Sequence, residues 1–246
     1  MEFAIVLLTV VPVRAEPSDR SEIVTQLLFG ETASIIEKHD KPNWVKIKSG
    51  VDGYEGWVDP KQLVLISEET YLSCKDQFSY TSQGEALVQN ELRKLMFGSR
   101  MPLSNSLPFS FEFNGELLNY QPEDILLVAQ QYIGTPYLWG GRSDVGIDCS
   151  GYSQQVFGIC GIKLPRDAYQ QAKEGKSVNY ENRNIGDLMF FKNDKNRVIH
   201  VGILIDAEYI LHAHGRVKQN NYDRKGILTD DEKSYSHHFD CIRRYT

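Results

Sequence analysis

Several common signatures are missing from this chain of 246 residues. Its four cysteines include no CxxC pair, which excludes a zinc ribbon and a dense disulfide framework and predicts reduced thiols. No apolar run approaches the ~20 residues of a membrane-spanning helix, so we expect no membrane span. Lys and Arg number 27 against 33 Asp and Glu, and this net charge of −6 argues against a general binder of nucleic-acid phosphates.

The composition is otherwise ordinary for a globular protein. Hydrophobic residues make up 41% of the chain and charged residues 24%, which excludes a wholly disordered protein. At roughly 150 residues per domain, the length allows one large domain or two to three small ones.

The amino-terminal residues allow two interpretations. Residues 3–13 form a short apolar run that is rich in β-branched side chains. A signal peptide cleaved after Ala15 would fit this run, but Met1-Glu2 carries no Lys or Arg and the run is short for that role. We therefore predict a first strand and its turn, and with it a cytoplasmic protein. Export is the alternative.

Residues 1–66 carry a pattern of short strands. Apolar runs at residues 23–29, 33–37, 44–48 and 56–58 are separated by the turn sequences Gly30-Glu31, Lys41-Pro42-Asn43 and Asp52-Gly53. The segment Gly53-Tyr-Glu-Gly-Trp-Val58, together with Val13-Arg-Ala-Glu-Pro-Ser18, resembles the bacterial SH3-type barrels. The resemblance implies a small all-β SH3-like barrel over residues 1–66.

Residues 67–118 are predicted to form a second, degenerate SH3-like barrel or a linker domain. Residues 85–96 fit either a short helix or strands, and residues 109–113 alternate like a strand before a hairpin-turn pair. Gln121-Pro-Glu-Asp124 has the proline and acidic residues of a helix start, which places the last domain at residues 119–246.

One cysteine differs from the others in its surroundings. After Cys149, apolar residues recur at three- and four-residue spacing until Gly158 and Gly161. The spacing predicts that Cys149 lies at a helix start, where unpaired N–H groups and the helix dipole favour a thiolate. Cys160 fits instead a buried small hydrophobic residue.

Two histidines are predicted to lie on one face of a hairpin. Residues 198–205 and 209–213 fit two strands joined by a three-residue turn. Paired around that turn, His200 and His212 become diagonal neighbours, roughly 7–8 Å apart between Cα atoms. Catalytic triads need a nucleophile, a base and a group that orients the base, and Cys149 with these two histidines offers all three.

A set of short motifs runs in order through the last domain. They are Tyr137-x-Trp-Gly-Gly, Asp148-Cys-Ser-Gly, Leu164-Pro-Arg, Gly186-Asp-Leu, His200-Val-Gly and Ile210-Leu-His-Ala. As a set they resemble the NlpC family of papain-like cell-wall cysteine peptidases. The resemblance implies an α+β, papain-like domain over residues 119–246.

The resemblance also implies a role for each matching residue. The implied catalytic residues are the nucleophile Cys149, the base His200, the orienting residue His212, and Tyr137 with its hydroxyl beside the sulfur. The residues implied to line the substrate groove are Asp148, Ser150 and, as a candidate for a substrate carboxylate, Arg166. Many relatives have Ser where this chain has Ala168, which puts one hydrogen bond of the implied pocket in doubt.

The implied reaction is hydrolysis of a peptidoglycan stem peptide between γ-D-glutamate and a diamino acid, without a cofactor. Relatives that join SH3-type barrels to this domain often use the barrel to select peptides with a free amino-terminal L-Ala, as in the recycling of wall peptides. Glu22, Tyr54 and Glu55 are the candidates for that contact. The alternatives are an exported wall-cutting endopeptidase, a wall-binding scaffold with an idle peptidase domain, or an acyltransferase or amidase on the same scaffold.

We predict no metal site. His214, His237 and His238 could be combined with Cys149 as zinc ligands, but the chain has no HExxH-type spacing. His237-His238 lies in a polar stretch that we expect to be exposed.

Overall fold

A computed structural model of the chain describes residues 2–40, 43–103, 107 and 110–246. The chain divides into two units. The first comprises Met1–Asn119 and Trp139–Val145, and the second comprises Tyr120–Leu138 and Gly146–Thr246.

The first unit begins with a seven-stranded antiparallel sheet in the order β3-β2-β6-β5-β4-β1-β7. The strands are β1 Glu2–Ile5, β2 Val10–Arg14, β3 Ile23–Leu28, β4 Thr32–Lys38, β5 Val45–Ser49, β6 Glu55–Val58 and β7 Val64–Ile66, with a 3-10 helix at Pro60–Gln62. Side chains such as Val11, Val13 and Ile47 fill an apolar core. The strands predicted between residues 23 and 58 are therefore confirmed as β3 to β6.

The apolar run at residues 3–13 forms two strands rather than one. β1 pairs with β4 and β7, whereas β2 pairs with β3 and β6. Because one straight strand cannot reach both sets of partners, the chain bends between them, and backbone hydrogen bonds hold Val6 to Gly30 and Glu31 at the bend. The predicted strand is present, but its predicted extent was wrong.

Residues 67–118 contribute a helix and short strands. These are α1 Glu68–Asp76, β8 Phe78–Tyr80, β9 Gly84–Val88, β10 Glu91–Leu95, β11 Arg100–Pro102 and β12 Phe111–Asn114. Strands are thus the correct alternative for residues 85–96; of the strand predicted at 109–113, Phe109 lies outside the described residues. Ala86 and Val88 pack with Ile5 and Phe29 in one core, so this region shares its interior with the first sheet. A second barrel here stays a prediction.

The segment Trp139–Val145 belongs to the first unit through a buried ion pair. Within it, at strand β13 Arg142–Ser143, the Arg142 guanidinium donates to both Glu31 oxygens at 2.9 and 3.0 Å and to the Gln26 carbonyl at 2.7 Å. Both charged side chains are almost completely buried. Gly140 has φ +76°, and a Cβ there would lie 2.2 Å from the Ile23 carbonyl oxygen, so only glycine fits.

The second unit packs short helices with an antiparallel sheet in the order β15-β21-β16-β17-β18-β19, with β20 paired to β21. Its strands are β14 Gly146–Ile147, β15 Lys176–Val178, β16 Leu188–Lys192, β17 Val198–Leu204, β18 Tyr209–His214, β19 Arg216–Asn221, β20 Gly226–Leu228 and β21 Tyr235–Arg244. Its helices are α2 Ile125–Gln130, α3 Cys149–Ile159 and α4 Ala168–Gln171, with 3-10 turns at Pro122–Asp124 and Tyr180–Asn182. α3 packs against β17 and β18. Within the described ranges, no helix combines the length and the apolar character of a bilayer span.

The buried ion pair generates a test of stability. Replacing Glu31 by Gln keeps the side-chain shape but leaves the Arg142 charge buried without its partner, so we expect a loss of about 3 kcal/mol in the free energy of unfolding. Urea denaturation at pH 7 measures this loss. The matched control is Glu2→Gln, because Glu2 pairs with Lys38 at the surface and such a pair contributes less than about 1 kcal/mol. Equal losses in the two variants would contradict the assignment.

Candidate active site

Cys149 is the first residue of α3, as predicted from its spacing. Asp148 precedes it as the N-cap, and one oxygen of the Asp148 carboxylate accepts the Gly151 N–H at 2.7 Å. The Cys149 thiol is buried and lies 4.0 Å from the Ile199 carbonyl oxygen on β17. The helix start thus places the sulfur beside the strand that carries His200.

Asp148, Ser150 and Arg166 form one buried cluster next to the cysteine. The Arg166 guanidinium donates to the two Asp148 oxygens at 3.0 and 2.6 Å and to the Ser150 hydroxyl at 3.0 Å. Arg166 is only 2% exposed. These three side chains bind one another, which positions the helix start. Their predicted contacts with substrate stay predictions.

The two histidines lie as the hairpin register predicted. Gly202 pairs with His212 and Leu204 with Ile210, so His200 is the diagonal neighbour of His212. The Nε2 atom of His200 is 2.8 Å from the Nδ1 atom of His212, and both rings are buried. The predicted juxtaposition is therefore confirmed as a direct hydrogen bond.

Asn220 is a member of the site that the sequence prediction missed. Its Oδ1 atom lies 3.0 Å from Nε2 of His212, and its own side chain is buried. His212 pairs with Lys218 across the β18–β19 hairpin, so Asn220 is again a diagonal neighbour. The same diagonal pairing, applied to the β18–β19 hairpin, predicts the position of Asn220.

His237 is also close to the base, which corrects the expectation that His237-His238 is exposed. His237 is partly buried and stacks on His200, with ring centroids 3.9 Å apart and planes 19° apart. The long strand β21 pairs with both β16 and β20 and so carries His237 over the sheet to His200. His238, on the opposite face, is exposed as predicted.

Burial keeps this histidine cluster neutral at pH 7. Desolvation, reinforced by the neighbouring imidazoles, holds the pKa of His200 well below its usual value. The same burial lowers the pKa of His212 to about 4 and that of His237 to about 3. At neutral pH the base therefore starts as an uncharged imidazole.

The three rings also bring together donor atoms that could hold a metal. One nitrogen from each of His200, His212 and His237 lies within 4.8 Å of the other two. Neutral imidazoles are good metal ligands, but Nε2 of His200 and Nδ1 of His212 share the 2.8 Å hydrogen bond. That bond already occupies one nitrogen of each ring, so the geometry fits a hydrogen-bonded base better than a metal centre.

The protonation of Cys149 differs from the sequence expectation. Burial, and then the negative charge of Asp148, raise the pKa of the thiol to about 12. The backbone N–H of Ser150 lowers the pKa as a helix start should, but by less than burial raises it. The resting pair is thus a neutral thiol and a neutral imidazole, because burial outweighs the expected effect of the helix start.

Tyr137 lies close enough to the cysteine for their charges to interact. Burial raises the pKa of its phenol, and the negative charges of Cys149 and Asp148 raise it further. Its backbone N–H donates to the Gly215 carbonyl at 2.9 Å, which anchors the residue to the sheet. Tyr137 therefore stays a neutral hydroxyl near the sulfur, and its catalytic role stays a prediction.

The barrel candidates all lie on the first unit. The exposed Glu22 accepts a hydrogen bond from the indole N–H of Trp139, which belongs to the same unit. Glu55 pairs with Lys46 at 3.2 Å. The backbone N–H of Tyr54 donates to Asp52 at 3.0 Å.

A thiol at a helix start, beside a strand that carries a buried and oriented imidazole, defines a papain-like cysteine peptidase. The NlpC/P60 family profile matches residues 134–241, and a profile described as a bacterial dipeptidyl-peptidase SH3 domain matches residues 13–63. The chain belongs to the NlpC/P60 family. This confirms the predicted α+β fold with an SH3-like all-β region before it.

Individual relatives agree with the family. Over 118 residues the chain is 37% identical to a probable endopeptidase of Haemophilus influenzae. This match covers 44% of this chain and 73% of that protein. Over 252 residues it is 29% identical to the gamma-D-glutamyl-L-lysine dipeptidyl-peptidase of Bacillus subtilis, covering 90% of this chain and 81% of that protein. The fold matches the crystal structure of an NlpC/P60 family protein from Bacillus cereus with a TM-score of 0.78 over 99% of both chains, at 20% identity.

The neutral resting pair predicts how Cys149 reacts with iodoacetamide. Since the buried thiol needs a base to lose its proton, His200→Gln should slow alkylation of Cys149 at pH 7 by at least about tenfold. Mass spectrometry of the peptides follows each cysteine separately. Cys241, which is more exposed and has a pKa of about 11, is the internal control and should keep its rate. An unchanged Cys149 rate would exclude His200 as its base.

The buried histidines also predict a pH dependence of stability. Their folded-state pKa values lie below the unfolded value of about 6.5, so the unfolded chain binds more protons as the pH falls. The free energy of unfolding should therefore be lower at pH 5 than at pH 7, by up to about 1.4 kcal/mol per pH unit for each histidine. Carboxyl groups with a lowered pKa, such as Asp230, change the free energy of unfolding only below about pH 4.

Denaturation by urea at the two pH values measures this slope. His237→Asn should flatten it, because the variant removes one buried imidazole. His238→Asn is the matched control, since the His238 side chain is exposed on the same strand. A slope that His237→Asn leaves unaltered would show that His237 does not stay neutral in the folded protein.

Proposed function

We propose that this protein hydrolyses the amide between γ-D-glutamate and the diamino acid of peptidoglycan stem peptides, and that it prefers peptides with a free amino-terminal L-Ala. The observation that carries the proposal is the oriented His200–His212 pair beside Cys149 at a helix start. The similarity to a gamma-D-glutamyl-L-lysine dipeptidyl-peptidase over most of both chains supports the substrate class.

The side chains present supply each step of the reaction. The Cys149 sulfur attacks the carbonyl carbon of the γ-glutamyl amide while His200 takes the thiol proton. His200 then gives this proton to the leaving amine of the diamino acid, which leaves an acyl-enzyme. Water, deprotonated by His200, releases the acyl group and restores the thiol. The backbone N–H of Cys149 and the Tyr137 hydroxyl are the proposed donors to the oxyanion.

Selection of the free amine is proposed for an acidic residue of the first unit. Glu22 is the preferred candidate, because its carboxylate is exposed and already held by the Trp139 indole N–H. Trp139 belongs to the motif that begins at Tyr137, and it lies ten residues before Cys149 in the chain. A carboxylate matched to the L-Ala ammonium would make loss of that charge costly. Glu55 and Tyr54 remain further candidates.

The proposed setting is the recycling of small wall peptides in the cytoplasm. Cleavage after Ala15 would remove β1 and β2 from the first sheet. β1 lies between β4 and β7, so its loss would also expose the edges of both partners. This favours retention of residues 2–14 in the folded protein.

The test compares free and blocked peptides. L-Ala-γ-D-Glu-L-Lys and its meso-diaminopimelate counterpart are offered with a free or an acetylated amine, and kcat/KM is measured by chromatography of the products. Acetylation should lower kcat/KM by at least about 100-fold, the scale of an unmatched charge. Cys149→Ala should abolish turnover of every peptide.

Two isosteric variants locate the selection. Glu22→Gln should lower kcat/KM for the free peptide towards that of the blocked one, while Glu16→Gln, at another exposed position of the same barrel, should not. Comparable rates on free and blocked peptides would refute the amine selection alone. Full activity of Cys149→Ala would refute the peptidase chemistry itself.

A further inference from the structure

A continuous chain of side-chain hydrogen bonds runs from the protein surface to the catalytic base. Asp230 accepts from Nδ2 of Asn220 at 2.9 Å, and Oδ1 of Asn220 lies 3.0 Å from Nε2 of His212. Nδ1 of His212 then lies 2.8 Å from Nε2 of His200. Four side chains from three separate strands and one loop are thus joined in line.

The chemistry of the first member sets the direction of every bond that follows. An ionised carboxylate only accepts hydrogen bonds, so Asn220 must present its NH₂ group to Asp230 and its oxygen to His212. His212 must then carry its proton on Nε2, and its Nδ1 lone pair must accept from His200. His200 therefore carries its proton on Nε2, which leaves the lone pair on Nδ1.

We propose that Asp230 and Asn220 are positioning residues, which select the tautomer in which the Nδ1 atom of His200 is the base for Cys149. Asn220 contacts His212 and Asp230, and Asp230 contacts Asn220 and Lys218, so both would act on the sulfur through the histidines. The proposal rests on the cysteine peptidase chemistry of the site and is independent of which peptide is cleaved.

The reverse orientation shows why a fixed direction matters. With the Asn220 amide turned over, its NH₂ group would donate to Nε2 of His212, whose proton would move to Nδ1. That proton would be donated to Nε2 of His200, and the His200 proton would then occupy Nδ1. The bonds between Asn220, His212 and His200 would still form, although the Asn220 oxygen would then face the Asp230 carboxylate without a hydrogen bond. The Nδ1 atom of His200, which should accept the thiol proton, would already carry one.

Burial makes this choice important, because the side chains that carry it are shielded from the solvent. His212 is 0% exposed and Asn220 only 9%. A buried ring nitrogen whose partner has the wrong polarity loses a hydrogen bond and keeps the cost of its desolvation. The orientation of the Asn220 amide therefore determines the tautomer of His200.

Asp230 keeps its negative charge over the whole useful pH range. Hydrogen bonds from Lys218 and Asn220 lower its pKa to about 2. Lys218 approaches the two carboxylate oxygens at 2.6 and 2.9 Å and holds the exposed loop in place. The titratable groups that face His212 are His200, His214, His237, Lys218 and Asp230.

The test replaces the Asp230 carboxylate by an amide of the same shape. Asp230→Asn offers both a donor and an acceptor, so Asn220 loses its single allowed orientation. Nitrogen NMR of the imidazole rings in the full-length protein reads the two tautomers directly. We expect the Nε2–H form of His200 and His212 in the wild-type protein and a mixture of both forms in Asp230→Asn. We also expect kcat to fall by about tenfold with KM unchanged, because the loss is orientation rather than binding.

Three matched variants separate this role from simple stabilisation. Asp230→Glu keeps the carboxylate and should retain the wild-type tautomer. Lys218→Met removes the ion pair but keeps the Asp230 carboxylate, and it should also retain the wild-type tautomer. Asp231→Asn alters the neighbouring exposed carboxylate, which accepts from Thr229 instead, and should change neither the tautomers nor kcat.

The outcome that overturns the proposal is a wild-type tautomer ratio in Asp230→Asn, or a shift of equal size in Lys218→Met. The NMR measurement needs no substrate, and alkylation of Cys149 by iodoacetamide gives a second readout without one. If none of the proposed peptides were cleaved, the tautomer measurement would still test the positioning role of Asp230 and Asn220.

Discussion

The carboxylate of Asp148 connects more of this site than any other group, since it takes part in local structure, packing and electrostatics together. It caps α3 through Gly151 and so determines where the helix begins and where Cys149 lies. It binds the guanidinium of Arg166, which carries the chain after α3 back to the helix start. Its charge also raises the pKa of both Cys149 and Tyr137. A residue that anchors the nucleophile thus also opposes its ionisation.

That opposition fits a site that stays uncharged until a substrate arrives. The thiol and the imidazoles of His200 and His212 all have pKa values displaced by burial in the direction that favours the neutral form. Separated charges appear only when the proton moves from sulfur to ring during attack. The cost of that separation falls when the thiolate is consumed in forming the acyl bond. Such a site limits reactions of the sulfur with other electrophiles between turnovers.

Local periodicity and hairpin register were sufficient to predict the centre of the site. The helix that starts at Cys149 and the diagonal position of His212 depend on short-range pairing, which the residue pattern contains. His237 could not be found this way, because its position depends on the long-range pairing of β21 with β16. In that pairing Phe239 lies opposite Phe191, which is 48 residues earlier in the chain. The ionisation of Cys149 was missed for a related reason. Burial depends on the packing of the whole chain, and it raises the pKa of Cys149 by more than the helix start lowers it.

The ion pair of Glu31 with Arg142 has a consequence for how this architecture is inherited and synthesised. The two residues are separated by 111 positions, and the second lies inside the stretch of sequence that leads to the nucleophile. During synthesis, the carboxylate of Glu31 stays unmatched until the ribosome has passed Arg142. A gene fragment that ends at Asn119 encodes the strands of the first unit but not the cation at its centre. Recombination that exchanged the barrel alone would separate the two charges, so barrel and peptidase are expected to be inherited together despite looking like modules.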